Sequence, residues 1–301
     1  MTKILKVKNP SDYSSWIGVS DSHPLVSVFD YAEVSPVRHS LNDYNVYGLF
    51  LRDDDDMFGL SYGCGAYDYK KGTLICVAPG QIGGKEDNGE LVNLKGWGLL
   101  FHPDLLHGTE LEKGIRRYSF FDYRINEALH MTIEEHDIFV ALLKRLRDEL
   151  DNPHDAVQDS IITGIIGVLL NYCQRFYDRQ FLTRRMPNND ILSRLETLLK
   201  NYFSDNESVE KELPTIQYCA DKLCLSPNYL SDLVKKMTGD TLGNYIRRIV
   251  IQEAKNRLAA GCTVAETAYS LGFQYPQHLS RMFKKYSGVT PTEYFVNRKE
   301  D

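Results

Sequence analysis

The C-terminal third of the chain contains two repeats of one sequence pattern. Positions 215–225 recur 48 residues later, and positions 227–245 recur 49 residues later. The recurring residues of the first repeat are Thr215, Ile216, Ala220, Leu223, Leu225, Pro227, Leu230, Ser231, Lys235, Lys236, Gly239, Thr241 and Tyr245. All but Ile216 and Leu225 return unchanged. Both repeats must therefore fold alike, which constrains the architecture more than any single motif does.

The first repeat predicts two short helices separated by a tight turn. Apolar residues at helical spacing follow Thr215 and end near Cys224. Ser226-Pro227 then provides an N-cap and a proline suited to the first helical position, and Gly239 signals the end of the new helix. Two helices joined by a turn of three or four residues form a helix-turn-helix.

The second repeat carries the same signals. Thr263 opens a helix and Leu271-Gly272-Phe273 forms the turn. The next helix begins at Pro276 and ends near Gly288. The sequence therefore predicts a second helix-turn-helix, in the same order as the first.

One longer helix is expected between the repeats, over residues 241–260, because its apolar residues keep a period near 3.6. About 20 residues at ~1.5 Å each span roughly 30 Å, close to one turn of B-DNA at roughly 34 Å. Such a rod could hold the second helix of each repeat in successive major grooves. We call the helices expected over 227–238 and 276–287 the first and second reader helices.

The charge of this region agrees with a nucleic-acid partner. Residues 213–299 contain 12 Lys and Arg against 6 Asp and Glu, a net charge of +6 in a chain whose formal net charge is −6. A basic region on an acidic chain is the electrostatic signature of a surface that binds phosphates.

Many positions of this region match one family pattern. They are Ala220, Leu223, Leu225, Ser226, Pro227, Tyr229, Leu230, Gly239, Tyr245, Ile246, Ala254, Lys255, Ala268, Leu271, Gly272, Phe273, Ser280, Arg281, Phe283, Lys284, Lys285, Gly288, Thr290, Pro291, Glu293 and Tyr294. The region resembles the DNA-binding domain of AraC/XylS-type transcription regulators. Two departures are Asp232, where relatives often carry a basic or neutral residue, and Val250, where they commonly carry arginine.

The resemblance implies a sequence-specific, effector-responsive transcription regulator and no enzyme. Double-stranded DNA is the expected partner, with RNA polymerase, a small-molecule effector and a second copy of the chain as further ones. Base contacts are expected from the first turns of the reader helices, namely Gln277, His278, Arg281, Asn228 and Ser231. Phosphate contacts are expected from Lys235, Lys236, Lys284 and Lys285.

The N-terminal part has short β-rich runs between glycine and proline turns, which are typical of a sandwich or barrel. The runs are 25–29, 44–51, 58–62, 67–69, 73–78, 91–94 and 96–101. The residues that resemble the cupin-like barrel of the same regulators are Tyr69, Gly72, Thr73, Leu74, Ala78, Pro79, Gly80, Gln81, Trp97, Leu99 and Phe101. The expected fold class is α+β multidomain, with this barrel and a helical hairpin followed by an all-α domain.

Aromatic side chains of these strands are candidates either for an effector pocket or for the barrel core: Tyr62, Tyr67, Tyr69 and Trp97. Three interpretations of the barrel remain open, namely a small-molecule sensor, a protein-interaction module without ligand, and a cupin-type enzyme fused to a DNA-binding domain. No His-x-His pair is present, and His102 and His107 are five residues apart, so we expect no metal, no cofactor and no catalytic residues. His102-Pro103 is expected to cap a short helix.

A helical hairpin is expected over residues 131–185. Thr132 and Glu135 form a capping box that opens its first helix, and a wide apolar stripe marks the second, from about Asp155 to Arg184. The width of that stripe indicates contact with more than one surface: the hairpin packs on the barrel alone or, as the resemblance implies, forms a homodimer interface in addition. A sensor domain over 1–130, a linker over 186–190 and a DNA-binding domain over 191–301, entered by a helix at 191–203, complete the expected organisation.

The remaining composition favours a cytoplasmic location. The N-terminus lacks the apolar core of a signal peptide, and the longest apolar run, residues 161–170, is too short to span a bilayer. The six cysteines form no CxxC pair, which predicts reduced thiols and no disulfide framework.

Overall fold

The chain forms two structural units, Met1–Thr183 and Arg184–Asp301. The structure is a computed structural model and describes residues 4–53, 72–124, 127–183, 185–204 and 212–297. The strands are β1 (Ile4–Val7), β2 (Val26–Asp30), β3 (Val37–Arg38), β4 (Leu41–Tyr44), β5 (Tyr47–Arg52), β6 (Thr73–Val77), β7 (Gln81–Gly84), β8 (Leu91–Val92), β9 (Gly96–Phe101) and β10 (Leu129–His130). The helices are α1 (Pro10–Trp16), α2 (Glu110–Gly114), α3 (Ile133–Leu150), α4 (Gln158–Thr183), α5 (Arg185–Ser204), α6 (Ile216–Leu223), α7 (Pro227–Thr238), α8 (Leu242–Ala259), α9 (Val264–Ser270), α10 (Pro276–Ser287) and α11 (Pro291–Asn297).

The described strands of the first unit form three sheets. The largest has the order β10-β6-β5-β9-β2 and is antiparallel. The second has the order β1-β4-β7, with β1 parallel to β4, and the third pairs β3 with β8. One core cluster joins the two larger sheets and α1: Val7, Tyr13, Ile17, Phe29, Tyr31, Tyr44, Val46, Phe50, Val77 and Leu100. The two sheets therefore pack face to face, as expected for a cupin-like fold, whose closed barrel stays a prediction.

Several predicted strands are confirmed. The runs 25–29, 73–78 and 96–101 correspond to β2, β6 and β9. The run 44–51 is divided between β4 and β5, which belong to different sheets, and the Asn45 N–H donates to the Val7 carbonyl at 2.8 Å where the chain crosses. The runs 58–62 and 67–69 lie outside the described residues.

Other elements of the first unit were missed or misjudged from sequence. Only Leu91–Val92 of the run 91–94 is a strand. The strand β7 was missed because its sequence, Gln-Ile-Gly-Gly, has little β-propensity of its own, and it exists because β4 pairs with it. His102 does cap a short 3-10 helix, Pro103–Leu106, by accepting from the Asp104 N–H at 3.2 Å, as predicted.

The two helices of the predicted hairpin are present as α3 and α4. The capping box is formed: the Glu135 N–H donates to Thr132 Oγ1 at 3.2 Å, and the Thr132 N–H donates to Glu135 Oε2 at 3.0 Å. At the opposite end of the hairpin, Gln158 Nε2 donates to the Glu149 carbonyl at 2.9 Å. Arg179 of α4 binds Glu135 through two hydrogen bonds of 2.8 and 2.7 Å.

The segment predicted as the linker, 186–190, is helical. The helix α5 begins at Arg185, six residues before the predicted Ile191, and includes the whole segment. Pro187 occupies the third position of α5, where a backbone N–H would have no acceptor within the helix, so proline does not interrupt it. The boundary between the two units falls just before this helix.

The helices α6 to α10 confirm the two predicted helix-turn-helix repeats. The turns also correspond in detail. The Leu225 N–H donates to the Ala220 carbonyl at 2.9 Å, and the Phe273 N–H donates to the Ala268 carbonyl at 2.9 Å. In the first turn Cys224 has a φ of 60°, the left-handed conformation that Gly272 adopts in the second with a φ of 91°. A residue with a Cβ therefore occupies a position that favours glycine.

We expect Cys224→Gly to be more stable than Cys224→Ala by about 1 kcal/mol, because only glycine adopts this conformation without a steric cost. The alanine variant is the matched control, since it removes the thiol and keeps the Cβ. Thermal and denaturant unfolding of the full chain, followed by circular dichroism, measures the difference. Equal stability of the two variants would show that the turn is not strained.

Candidate nucleic-acid interface

The inward faces of the two reader helices are equivalent. Both α7 and α10 begin with proline and end at a glycine with positive φ. Leu230 and Val234 of α7 are buried, as are the corresponding Leu279 and Phe283 of α10. Residues at corresponding positions therefore anchor each helix in the core, and the opposite face of each helix points outward.

The second reader helix, α10, presents its predicted base-contact residues outward. Gln277, His278 and Arg281 are exposed, and Gln277 and Arg281 lie one helical turn apart. No hydrogen bond, ion pair or ring contact with another described residue engages the Arg281 guanidinium. The imidazole of His278 lies edge-on to the ring of Tyr275, with 5.5 Å between centroids and 80° between planes. Arg281 is therefore free to contact a ligand, whereas His278 has a restrained orientation.

The first reader helix, α7, is less open at the equivalent positions. Asn228 and Ser231 are half-buried. The Ser231 hydroxyl donates to the Pro227 carbonyl at 2.7 Å, and Ser280 makes the same bond to Pro276 at 3.1 Å in α10. Because its proton is used within the helix, Ser231 can only accept a hydrogen bond from a base.

The predicted phosphate contacts lie at the far ends of the same helices. Lys235, Lys236, Lys284 and Lys285 are all exposed, in the last turns of α7 and α10. Cations are also favourable at a helix C-terminus, where the helix dipole is negative. Each reader helix therefore has polar groups suited to base edges in its first turns and ammonium groups in its last turn, about 5–12 Å away along the axis.

The helix α8 is the frame for both readers, since α7 and α10 each pack against it. Its 18 residues span about 27 Å. Val250, at the position where arginine is common in relatives, is 1% exposed and lies with Ile246 and Ala254 in the buried face of α8. An arginine would not fit here, so the valine belongs to the core of this unit.

Two exposed tyrosines near the second reader helix were missed from sequence. Tyr275 is 54% exposed and directly precedes α10, and Tyr269 is 60% exposed in α9. Tyr275 occupies the N-cap position that Ser226 fills in the first repeat, and it caps no backbone N–H with its side chain. Alignment of the two repeats could have identified Tyr275, because an aromatic residue at an N-cap position is unusual.

The candidate effector pocket is only partly described. Tyr62, Tyr67 and Tyr69 lie outside the described residues. Trp97 is 5% exposed, and its ring centroid lies 4.7 Å from the Arg147 guanidinium carbon and 5.9 Å from Lys144 Nζ, both on α3. Because strand residues alternate, Trp97 and Leu100 lie on opposite faces of β9, and Leu100 belongs to the core cluster. Trp97 therefore faces the helices.

The described interior between the sheets is filled by aromatic side chains. The hydroxyls of Tyr13 and Tyr31 are hydrogen-bonded at 2.8 Å, and Asn42 Nδ2 donates to the Tyr44 hydroxyl at 3.0 Å. Burial raises the pKa of Tyr31 well above its ordinary value, so its hydroxyl stays protonated. A crevice of about 170 Å³ is lined by Ile75, Cys76, Phe120, Tyr123, Arg124, Ala128 and Tyr177. That volume includes open solvent, so the crevice is not a cavity that would enclose a small molecule.

The described part of the chain contains neither a metal-ligand cluster nor a membrane-spanning helix. No group of three or more His, Cys, Asp and Glu side chains there is placed to hold a metal ion. None of its helices is long and apolar enough to cross a membrane.

Comparison with known proteins gives matches to transcription regulators. A family profile described as "Helix-turn-helix domain" matches residues 219–297. The chain is 32% identical over 110 residues to the probable transcription factor PqrA of Proteus vulgaris, a match that covers 36% of this chain and 83% of that protein. It is 35% identical over 77 residues to the transcriptional regulatory protein YesN of Bacillus subtilis (strain 168), covering 25% of this chain and 21% of that protein.

A solved structure is also similar over part of the chain. It is the C-terminal domain of AraT, a response regulator from Geobacillus stearothermophilus, which is 26% identical. The match covers 36% of this chain and 84% of that chain, with a TM-score of 0.31.

Proposed function

The chain belongs to the AraC/XylS-type DNA-binding transcription regulators, and we propose that its two reader helices bind successive major grooves of one target duplex. The observation that supports this most directly is the equivalence of α7 and α10. The same positions of each helix are buried, both helices pack against α8, and the corresponding lysines of both are exposed. A net charge of +6 over residues 213–299 adds the attraction for a polyanion.

We assign the contacts by side-chain chemistry. Arg281 is suited to a bidentate contact with guanine O6 and N7, and Gln277 to adenine N6 and N7. His278, Asn228 and Ser231 are further base contacts, with Ser231 accepting from an amino group because its proton is used within α7. The four lysines at the ends of the reader helices, Lys235, Lys236, Lys284 and Lys285, bind phosphates and position the helices.

Selection from random duplexes with the purified full chain tests this function. We expect enriched sequences with two subsites whose centres lie about 10 bp apart, since successive major-groove faces are separated by one helical turn. A scrambled duplex of equal length and composition is the control. If the selected and scrambled duplexes bind equally at every salt concentration, the chain does not recognise sequence and the proposed function is wrong.

We also propose that the hairpin over 131–185 pairs two copies of the chain through α4. An apolar stripe runs from Val157, just before α4, along the outer side of that helix, with Val157 56%, Ile161 37% and Val168 43% exposed and Ile165 half-buried. Such a stripe on a helix surface is self-complementary under two-fold symmetry, the commonest symmetry of soluble oligomers.

Val168→Asp is expected to weaken dimer formation at least tenfold, because pairing would bury a carboxylate in an apolar seam. Ile133→Asp is the matched control. Ile133 is 80% exposed and lies at the start of α3, at the end of the hairpin where Arg179 meets Glu135. Sedimentation equilibrium of both variants and the wild type measures the association. A wild type that stays monomeric at tens of micromolar, or equal effects of the two substitutions, would exclude this interface.

Effector control is proposed for the sensor region over 1–130 from its resemblance to the cupin-like barrel of AraC/XylS-type regulators. An effector present at 100 times its Kd should stabilise this unit by about 2.7 kcal/mol. A thermal-shift screen of the full chain with sugars and other small metabolites tests the proposal. If no compound raises the Tm, the interpretation of this unit as a module for protein contacts is favoured.

A further inference from the structure

One side chain at the start of α8 connects the two helix-turn-helix repeats. Asn244 Nδ2 donates to Asp240 Oδ1 at 3.1 Å, and Asp240 lies in the turn that follows the first reader helix. Asn244 Oδ1 accepts from the hydroxyl of Tyr286 at 2.9 Å, and Tyr286 lies in the last turn of the second reader helix. The two readers are thus joined by a chain of two hydrogen bonds through one carboxamide.

In these two hydrogen bonds each atom has the donor or acceptor role that its chemistry requires. A carboxylate can only accept, so Asp240 requires the amide nitrogen of Asn244, and the amide oxygen is left for the hydroxyl. An arginine also contacts the Asp240 carboxylate, and a second arginine contacts the Asn244 amide oxygen. Asp240 Oδ2 lies 3.3 Å from Arg248 Nη2, and Arg247 Nη1 donates to Asn244 Oδ1 at 3.2 Å. The carboxamide therefore has one favoured orientation.

This link between the repeats has no counterpart at the exchanged positions. The residue of the first repeat that corresponds to Tyr286 is Met237, and the residue of the second repeat that corresponds to Asn244 is Glu293. The Glu293 carboxylate instead accepts from the Thr290 N–H at 2.7 Å. Because the first repeat folds in the same way with methionine at this position, a helix-turn-helix does not require the hydroxyl. The bond must then serve something other than the fold of either repeat.

We propose that Asn244 and Tyr286 are positioning residues that fix the register between the two reader helices, and hence the spacing of the two DNA subsites. This inference rests on the proposed function. The buried residues of α10, Leu279 and Phe283, hold it by apolar contacts, which are non-directional and leave more freedom of orientation than a hydrogen bond does. A directional hydrogen bond at the C-terminal end of α10 removes that freedom. One base pair corresponds to about 3.4 Å and about one tenth of a helical turn, so a small change in register would alter the preferred spacing.

The test uses the full chain and the duplex selected as above, together with duplexes that have one base pair inserted or removed between the subsites. The spacing penalty is the ratio of the Kd for an altered duplex to the Kd for the selected one. Tyr286→Phe removes only the hydroxyl, and Asn244→Ala removes the bridging carboxamide. Tyr294→Phe is the matched control, because the Tyr294 ring packs on Phe283 and its hydroxyl makes no hydrogen bond with the other described residues.

We expect the wild type and Tyr294→Phe to share one spacing penalty, and both Tyr286→Phe and Asn244→Ala to reduce it by about fivefold, the effect of one hydrogen bond. Thermal unfolding of each variant shows that the module remains folded. A penalty that is unchanged in both variants, or a wild type that tolerates all three spacings, overturns the inference while leaving sequence recognition intact. A wild type that selects no sequence refutes the proposed function itself.

Discussion

Arg281→Ala is expected to weaken binding to the selected duplex by about 1–3 kcal/mol, roughly tenfold to a hundredfold. The guanidinium is exposed on the outward face of α10 and has no partner among the described residues, so the substitution breaks no contact within the protein. The loss should appear on the selected duplex and much less on a scrambled one, because a base contact carries sequence information. Preference at one base pair should relax.

Two variants separate a base contact from a charge effect. Arg281→Lys keeps the positive charge and loses the planar fork that matches guanine, so it should lose most of the same specificity. Lys284→Ala removes an ammonium group from the last turn of α10 and should weaken binding to all duplexes alike. It should also reduce the slope of log K against log salt by about 1.

A salt series on selected and scrambled duplexes measures these signatures. If Arg281→Ala lowers the affinity for both duplexes by the same factor and Arg281→Lys restores it, Arg281 binds a phosphate. The assignment of Gln277 and Arg281 to base edges would then be wrong, although DNA binding by α10 would stand.

The second large effect is expected in the first unit, where Arg179→Ala should destabilise the fold by about 3 kcal/mol. The guanidinium donates to both oxygens of Glu135 at 2.8 and 2.7 Å and to the His130 carbonyl at 2.6 Å. Glu135 is 12% exposed, so alanine at position 179 would leave a carboxylate with little solvent and without its main partner. The same contacts join α3, α4 and β10, so the loss affects the packing of all three.

The matched control is Arg38→Ala, which removes an exposed ion pair of the same unit. Arg38 Nη1 lies 3.6 Å from Asp87 Oδ2, and the two side chains are 60% and 41% exposed, so the loss should stay below about 0.5 kcal/mol. Denaturant unfolding followed by the fluorescence of the two tryptophans reports on the first unit, because Trp16 and Trp97 both lie there. A change below about 1 kcal/mol for Arg179→Ala would mean that water can reach Glu135 once the arginine is gone.

The DNA-binding region could be read from sequence because its signals are local. Thr215, Ser226, Thr241 and Thr263 each cap a helix with the side-chain oxygen, and the bond of each spans only three residues. Glycines with positive φ end both reader helices as predicted. A cap depends on atoms that are neighbours in the chain, so the residue type at that position is sufficient to predict it.

The first unit could be read only in part, because its strands depend on distant partners. β7 and β10 lack a strand pattern of their own and exist through pairing with β4 and β6. The same limit applies to Trp97. Its aromatic side chain suggested a ligand contact, but in the structure the ring packs against Arg147 of α3. Which face of a strand meets a helix is set by contacts between residues far apart in sequence.

The sequence by itself determined the repeat, the helix-turn-helix order and the outward positions of the reader helices, since each follows from spacing along one helix. Only the tertiary structure revealed that α5 continues through the predicted linker and that Asn244 connects the ends of both readers. Asn244 and Tyr286 are 42 residues apart, and no periodicity in the chain relates them. Packing of α8 against α10 brings the amide and the hydroxyl together, and a hydrogen bond of that kind exists only once the helices are assembled.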